Sequence, residues 1–160
     1  MTAVLLLLAA LAASAFFSGM EIAFLSANRL QVEIDAKKGS LAGRILPWFY
    51  RRSTSFIATM LLGNTVALVL VGNSTARLLN EPLAILGSPF AVVAVQTLLS
   101  TAVVLVVAEY MPKAFFRERA NESLRAFSGV LAAVVVALSP AVLFFTFFFQ
   151  AEDGIRDSFR

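Results

Sequence analysis

Long apolar runs separated by short polar stretches dominate this chain. Four runs stand out, at about 4–25, 56–79, 90–108 and 126–149. These blocks are too long for strands or ordinary core helices, and about 20 helical residues cross a bilayer core. Each run is therefore long enough to span a membrane. The pattern predicts an all-α membrane protein whose solvent is lipid, and no repeat of fixed period interrupts it.

Composition supports this interpretation and excludes several classes of function. The chain is 59% hydrophobic and only 14% charged, whereas a soluble domain carries roughly 25% charged residues. It has no Cys and no His, which removes disulfides, thiolate metal sites and the Ser/His/Asp or Cys/His catalytic sets. We expect no enzymatic activity. Any bound metal must be a hard cation held by oxygen ligands.

Basic residues flank the apolar runs, so the net charge of +3 indicates membrane orientation rather than nucleic-acid binding. The stretch 29–52 holds Arg29, Lys37, Lys38, Arg44, Arg51 and Arg52. Between the second and third runs there is only Arg77, and after the third come Lys113, Arg117, Arg119 and Arg125. The positive-inside rule predicts that the N-terminus lies outside, with the first loop and the 113–125 stretch inside.

Two apolar runs carry an alternative interpretation. The first contains LLLLAALAASA, which resembles a signal peptide with an A-x-A cleavage site, but no Lys or Arg precedes it and the apolar character continues to Leu25. We expect it to be a retained span. The fourth is long enough to cross, yet the basic cluster fixes its start inside and Pro140 interrupts it. We expect three spans, with the fourth run lying in the cytoplasmic interface.

The first loop is ambiguous from its pattern. LQVEIDAKKGSLAGRILPWFY contains helix formers, a Gly-Ser stop and then an amphipathic run that Pro47 interrupts. It fits two short helices at the cytoplasmic surface, with Trp48, Phe49 and Tyr50 as interfacial anchors. A solvated connector fits equally well.

A few polar residues within the apolar runs are candidates for function, because such groups are expensive in a membrane. They are Ser18, Glu21, Asn64 and Glu109. At 1.5 Å per helical residue, Ser18 lies roughly 16 Å from Arg29, Asn64 roughly 18 Å from Arg52 and Glu109 roughly 12 Å from Arg117. Since all three distances run from the cytoplasmic side, three helices place oxygen ligands at similar depth. A small divalent cation prefers such a set.

The local sequence favours the same site but also permits simpler roles. Gly19 and Gly63 allow close helix approach, and Pro112 removes the helical donor of the Ala108 carbonyl beside Glu109. Alternatively, Glu109 and Lys113 form an i,i+4 salt bridge. Ser18 would then bond its own helix and Asn64 would join two helices. Glu21 would remain hydrated near the interface.

Three motifs, in order, resemble those of the CorC/cyclin-M family's membrane domain, also called DUF21. They are FFSGMEIAFLSANRL at 16–30, FIATMLLGNT at 56–65 and AEYMPKAFFRERAN at 108–121. The resemblance implies a homodimeric magnesium transporter of the cell's inner (plasma) membrane, with sodium-coupled export. It also implies three spanning helices, two short cytoplasmic helices in the first loop and a juxtamembrane helix after the third span. The family's ion-site residues correspond to Ser18, Glu21, Gly63, Asn64 and Glu109, with Pro112 shaping the third helix.

The resemblance has limits. Many members carry a second Asn four residues after the Asn of the Gly-Asn pair, where this chain has Leu68. An Mg²⁺ sensor or regulatory scaffold that moves no ion would use the same residues as a transporter. We expect the membrane domain to occupy 1–149, and the full-length protein to continue into a cytosolic CBS pair that is absent here. The final QAEDGIRDSFR, 150–160, resembles translated sequencing-adapter read-through and is expected to be non-native.

Overall fold

The computed structural model describes the backbone of residues 2–157 and the side chains of residues 2–144. Over the described backbone the chain forms helices and no strand. The α-helices are α1 (Thr2–Ser26), α2 (Arg29–Lys37), α3 (Leu41–Arg51), α4 (Ser53–Leu83), α5 (Pro89–Val103), α6 (Met111–Glu118) and α7 (Ala120–Asp157). A 3₁₀ turn (Ala84–Leu86) precedes α5, and a π-helix (Val104–Tyr110) joins α5 to α6. The predicted all-α architecture is confirmed.

Each of the four apolar runs forms a helix that is long and apolar enough to cross a membrane. The third of these is composite, because α5, the π-helix and α6 follow one another without a break over Pro89–Glu118. Pro89 occupies the first turn of α5, where its missing N–H breaks no helical bond. The helices of the second and third runs extend several residues beyond the apolar runs that predicted them.

The first loop folds into two helices, so the helical interpretation is right and the solvated connector is wrong. Asn28 caps α2 by accepting a hydrogen bond from the Leu30 N–H at 3.0 Å, and Ser40 caps α3 by accepting one from the Gly43 N–H at 3.0 Å. Gly39 links them with a φ of 71°, a left-handed conformation that favours glycine. The capping side chains therefore fix where each short helix begins.

The amphipathic helix α3 differs from the sequence prediction at two residues. Pro47 lies inside the helix and does not interrupt it, because the buried side chains of Leu46 and Phe49 hold the helix against its neighbours. Phe49 is therefore a core residue, not an interfacial anchor. Trp48 is exposed and Tyr50 half-buried, as anchors would be.

A buried hydrophobic cluster lies where α1 ends and α4 begins. Phe24 of α1, Phe49 of α3 and Phe56 of α4 form an aromatic cluster, with ring centroids 4.3 Å apart for Phe24 and Phe56 and 4.8 Å for Phe49 and Phe56. Met20 and Met60 are fully buried beside it. This cluster joins α1 and α4 to the α2–α3 hairpin.

The long helix α7 contacts α1, α3 and α4. It begins beside the end of α1, where the Asn28 N–H donates to Asn121 Oδ1 at 3.2 Å. One turn later Arg125 Nε lies 3.3 Å from the buried carboxylate of Asp35. Pro140 lies inside α7 and does not end it. The predicted non-native tail at 150–160 lies outside the residues whose side chains are described.

Candidate functional site

The interface between α1 and α4 is built from small residues. On α4 the buried face carries Gly63, Ala67 and Ser74, and on α1 it carries Ala10, Ser14 and Ser18. Small side chains allow two helix backbones to approach closely in a membrane, where packing rather than water exclusion drives helix association. Polar atoms on these faces are therefore held between two helices and away from lipid.

A hydrogen bond crosses this interface in the apolar half of α1. Ser14 Oγ donates to Asn64 Oδ1 at 2.6 Å, and Ser14 is fully buried. The sequence prediction included Asn64 but missed Ser14. The signal was present, because Ser14 lies four residues before Ser18 and so shares its helix face.

Ser18 is the most unusual polar residue of this interface. Its side chain is fully buried, and among the described residues its Oγ has no hydrogen-bond partner. It does not bond its own helix, which was the simpler role open to it. A buried hydroxyl without a partner costs about 1–3 kcal/mol. The fold therefore keeps an unsatisfied hydroxyl oxygen here at the expense of stability.

Two glycines shape the surroundings of Ser18. The ring of Phe17 lies against Gly63, and the ring of Phe116 from α6 lies against Gly19. A Cβ at either glycine would overlap the ring it faces. Gly19 and Gly63 are therefore required for aromatic side chains to pack directly beside Ser18.

The third membrane-capable helix changes its hydrogen-bond pattern before Pro112. The Met111 N–H donates to the Val106 carbonyl, five residues back, at the end of the π-helix. The sequence predicted only the loss of the donor to Ala108, whereas the structure spreads the adjustment over seven residues. Such π segments are frequent at functional sites, since they re-aim side chains and loosen the backbone ladder. Glu109 lies within this segment.

Glu109 forms an ion pair with Lys113, with Oε2 and Nζ 3.6 Å apart. The Glu109 side chain is 31% exposed. Glu21 on α1 interacts electrostatically with both Lys113 and Glu109, so two carboxylates and one ammonium group share this junction. The salt-bridge role of Glu109 is thus realised, and Glu21 is a second carboxyl group at the same junction.

Helix α1 connects the two halves of the candidate site. It presents Ser14 and Ser18 to α4, and Glu21 to the third helix one turn nearer its C-terminal end. Among the residues with described side chains, no three Asp, Glu, His or Cys cluster as a metal site. A cation held here would rely on hydroxyl, amide and carbonyl oxygens as well as the carboxylates, which suits a hard ion.

These features define an α-helical, multi-pass membrane domain with oxygen-bearing side chains between its helices. Residues 5–152 match the family described as the cyclin M transmembrane N-terminal domain. The match covers most of the chain, so the chain belongs to this family of membrane domains, which is linked to Mg²⁺ transport and is not a known enzyme family. A search of curated proteins finds no match.

Proposed function

We propose that this domain binds Mg²⁺ between α1, α4 and the third membrane helix, and moves it across the membrane by sodium-coupled export. The observation that carries the proposal is the buried Oγ of Ser18, which has no hydrogen-bond partner in the described part of the chain. It lies on a helix whose neighbouring turns carry Ser14, bonded to Asn64, and Glu21, which interacts with Glu109. Membership of the cyclin M family supports the choice of ion.

Each ligand has a distinct role in the proposal. Ser18 Oγ, Asn64 Oδ1 and the Gly63 carbonyl are neutral oxygens, and Glu109 and Glu21 supply negative charge. Mg²⁺ prefers one or two carboxylates with neutral oxygens and retained waters, so this set suits it. Among the residues with described side chains, Asn64 Oδ1 accepts a hydrogen bond from Ser14 alone, and its second lone pair can face an ion.

Binding Mg²⁺ at Glu109 displaces Lys113 from its ion pair in this proposal. The pair is 3.6 Å long and its Lys113 side chain is 44% exposed, so separation of the two groups lets Lys113 swing toward water. Glu109 lies within the π-helix, whose relaxed hydrogen-bond pattern accommodates small rotations of this residue. These two features give the site a way to release its ion.

The test is Mg²⁺ binding and flux with the purified protein. Glu109→Gln keeps the shape and removes a charge, and we expect affinity to fall by about tenfold or more because the site is partly desolvated. Glu81→Gln, near the far end of α4, is the matched control and should leave affinity unchanged. Unaltered binding in Glu109→Gln would overturn the assignment of the site.

Flux in proteoliposomes separates transport from sensing. Transport predicts Mg²⁺ movement that depends on a sodium gradient and disappears in Glu109→Gln. Mg²⁺ binding of normal affinity without flux would instead establish the alternative, a membrane-embedded sensor or regulatory scaffold.

The proposal includes a topology of three spans, with the N-terminus outside and α7 along the cytoplasmic interface of the inner membrane. Two observations support it: α7 packs against the amphipathic helix α3, and Arg125 is tied to Asp35 at the end of α2. A Gln150→Cys variant tests it, since the chain has no native Cys. Labelling from the cytoplasmic side is expected, and labelling only from outside would mean that α7 crosses.

We also propose a homodimer formed within the membrane. Small residues allow close contact between membrane helices, and in α4 Gly72 faces open space, whereas Ser74 is buried inside the protomer and is therefore unsuited to this role. Crosslinking and native mass in mild detergent test the dimer, and a monomer over a wide concentration range would contradict it.

A further inference from the structure

The α2–α3 hairpin encloses a cavity that takes no part in the candidate ion site. It has a volume of about 420 Å³ and is lined by Arg29, Val32, Glu33, Pro47, Tyr50 and Arg51. The two arginines come from different helices. Neither they nor Glu33 form an ion pair with any other described side chain. Two guanidinium groups and one carboxylate leave the cavity with one net positive charge.

Arg29 is held in place by a chain of contacts. Its guanidinium carbon lies 5.3 Å from the centre of the Tyr50 ring, within range of a cation–π interaction. The Tyr50 hydroxyl donates to the Phe24 carbonyl at 3.1 Å, and the two rings stack with centroids 4.4 Å apart. Burial raises the pKa of Tyr50, with Arg29 opposing the shift, so the hydroxyl remains a donor. The cavity is therefore pre-organised on one side.

Exposed apolar side chains follow the lining residues in sequence. Leu30 is 65% exposed, Ile34 47% and Trp48 44%, and they directly follow the lining residues Arg29, Glu33 and Pro47 along α2 and α3. The hairpin follows the end of α1 and precedes the start of α4, where a membrane-spanning helix meets the headgroup region. A positively charged pocket on a hairpin that exposes apolar side chains at that depth fits a molecule that has an anionic head and an acyl tail.

We propose that this cavity binds the headgroup of an anionic phospholipid of the phosphatidylglycerol type. Its phosphodiester lies between Arg29 and Arg51, and a glycerol hydroxyl donates to Glu33. The single negative charge of the headgroup balances the net charge of the cavity, and guanidinium groups are suited to phosphate recognition. The site goes beyond the proposed function, because it needs neither Mg²⁺ nor transport.

Trp48 provides the readout, since it is the single Trp of the chain and directly follows the lining residue Pro47 in α3. The protein is reconstituted in nanodiscs that contain brominated phosphatidylglycerol or brominated phosphatidylcholine at equal mole fraction, and quenching of Trp48 fluorescence reports which lipid occupies the site. Both lipids carry the phosphodiester, but only phosphatidylglycerol has the net negative charge that balances the cavity and a hydroxyl that can donate to Glu33. We therefore expect phosphatidylglycerol to be preferred several-fold.

Two double variants with equal loss of charge decide between a site and general attraction. Arg29→Gln with Arg51→Gln should abolish the preference, which corresponds to roughly tenfold or more weaker binding. Lys37→Gln with Arg44→Gln removes two charges from the same hairpin outside the cavity and should preserve it. Equal loss in both double variants, or no preference in the wild type, would overturn the proposal.

Two further measurements cover folding and soluble ligands. Arg51→Gln alone tests the site without disturbing the Tyr50 contacts, and it should weaken the preference while leaving the thermal unfolding temperature in detergent unchanged. Glycerol 3-phosphate or inorganic phosphate, added at millimolar concentration, should not displace the lipid. Displacement by either would show that the cavity binds free phosphate and would overturn the lipid assignment.

Discussion

Helices α1 and α5 are similarly apolar, yet they occupy opposite positions in the packing. Seven residues of α1 are buried, including Ser14, Ser18 and Gly19. Over the described range Pro89–Val103, no residue of α5 is buried. Helix α1 contacts α4, α6, α7 and the π-helix, whereas α5 contacts chiefly α4 and the segments that flank it in sequence. Apolar length thus predicts which helices enter a membrane but not which one organises the domain.

The difference lies in where polar side chains find their partners. In α5, Thr97 Oγ1 donates to the Val93 carbonyl at 2.8 Å and Ser100 Oγ to the Gln96 carbonyl at 2.7 Å, both within the same helix. In α1, Ser14 bonds across to α4 and Ser18 has no partner among the described residues. A hydroxyl satisfied by its own helix can face lipid. One that is not satisfied locally requires a neighbouring helix or a ligand.

The largest expected effect concerns two side-chain amides, Asn64 at the α1–α4 interface and Gln96 in α5. Asn64→Ala removes an oxygen that bonds to α1 and belongs to the proposed ion site, and Mg²⁺ affinity should fall by about tenfold or more. Gln96→Ala, the matched change in α5, should leave affinity unchanged. Titration calorimetry with Mg²⁺ measures both. A similar loss in the two variants would mean that the amides act through general stability, and the comparison would fail.

Two glycines of α4 allow the free energy of unfolding to be compared between a position packed against α1 and an open position. Gly63→Ala places a Cβ into the Phe17 ring and should destabilise the protein by about 1–3 kcal/mol, because overpacked cores must shift side chains or backbone. Gly72→Ala meets nothing within 4 Å and should be neutral or stabilising by up to about 1 kcal/mol through helix propensity. Thermal unfolding in one detergent tests both. An equal response would contradict the close packing of α1 on α4.

Apolar pattern and turn chemistry predicted most of the fold. The four apolar runs became the four membrane-capable helices, and the Gly-Ser stop became the junction between α2 and α3. The pattern wrongly predicted that Phe49 is an interfacial anchor and that Pro47 interrupts the helix. Helix α3 continues through Pro47 because the tertiary packing of one helix face outweighs a single missing hydrogen bond. The environments of these two residues depend on tertiary contacts, which the pattern of a single sequence does not predict.

The candidate site was predicted in its residue types but not in its pairing. Matched depth suggested that Ser18 and Asn64 lie level, yet Asn64 bonds to Ser14, one turn nearer the N-terminus of α1. Depth estimates count residues from the helix ends and contain no information on tilt or rotation. Ser14 was not predicted as a site residue because it lies in an alanine-rich stretch that resembles a signal-peptide cleavage site. The π-helix also has no local sequence signal beyond Pro112.

A smaller effect is expected for two serines with different partners. Ser14→Ala removes a buried bond between helices and leaves Asn64 Oδ1 without that donor, which should cost about 0.5–1.5 kcal/mol. Ser100→Ala removes a bond within one helix and should change stability by less than about 0.5 kcal/mol. Unfolding midpoints of the two variants measure the difference. A larger loss for Ser100→Ala would mean that α5 is more tightly packed than α1.

A small effect on stability is expected at Ser18, and its sign is the informative part. Because the buried Oγ has no partner among the described residues, Ser18→Ala should raise stability by up to about 1 kcal/mol. The same change removes a proposed ion ligand and should weaken Mg²⁺ binding several-fold. A gain in stability with a loss of binding is the behaviour of a group kept for function rather than for folding.

Ser74→Ala is the matched control, because Ser74 Oγ is the other buried hydroxyl without a partner among the described side chains. It lies ten residues beyond Asn64, roughly 15 Å further along α4, and outside the proposed site. Its removal should raise stability as at Ser18 while leaving Mg²⁺ binding unchanged. If Ser18→Ala lowers stability, the hydroxyl has a structural partner and its role as an ion ligand is refuted. If both variants weaken binding equally, the loss reflects the α1–α4 interface as a whole.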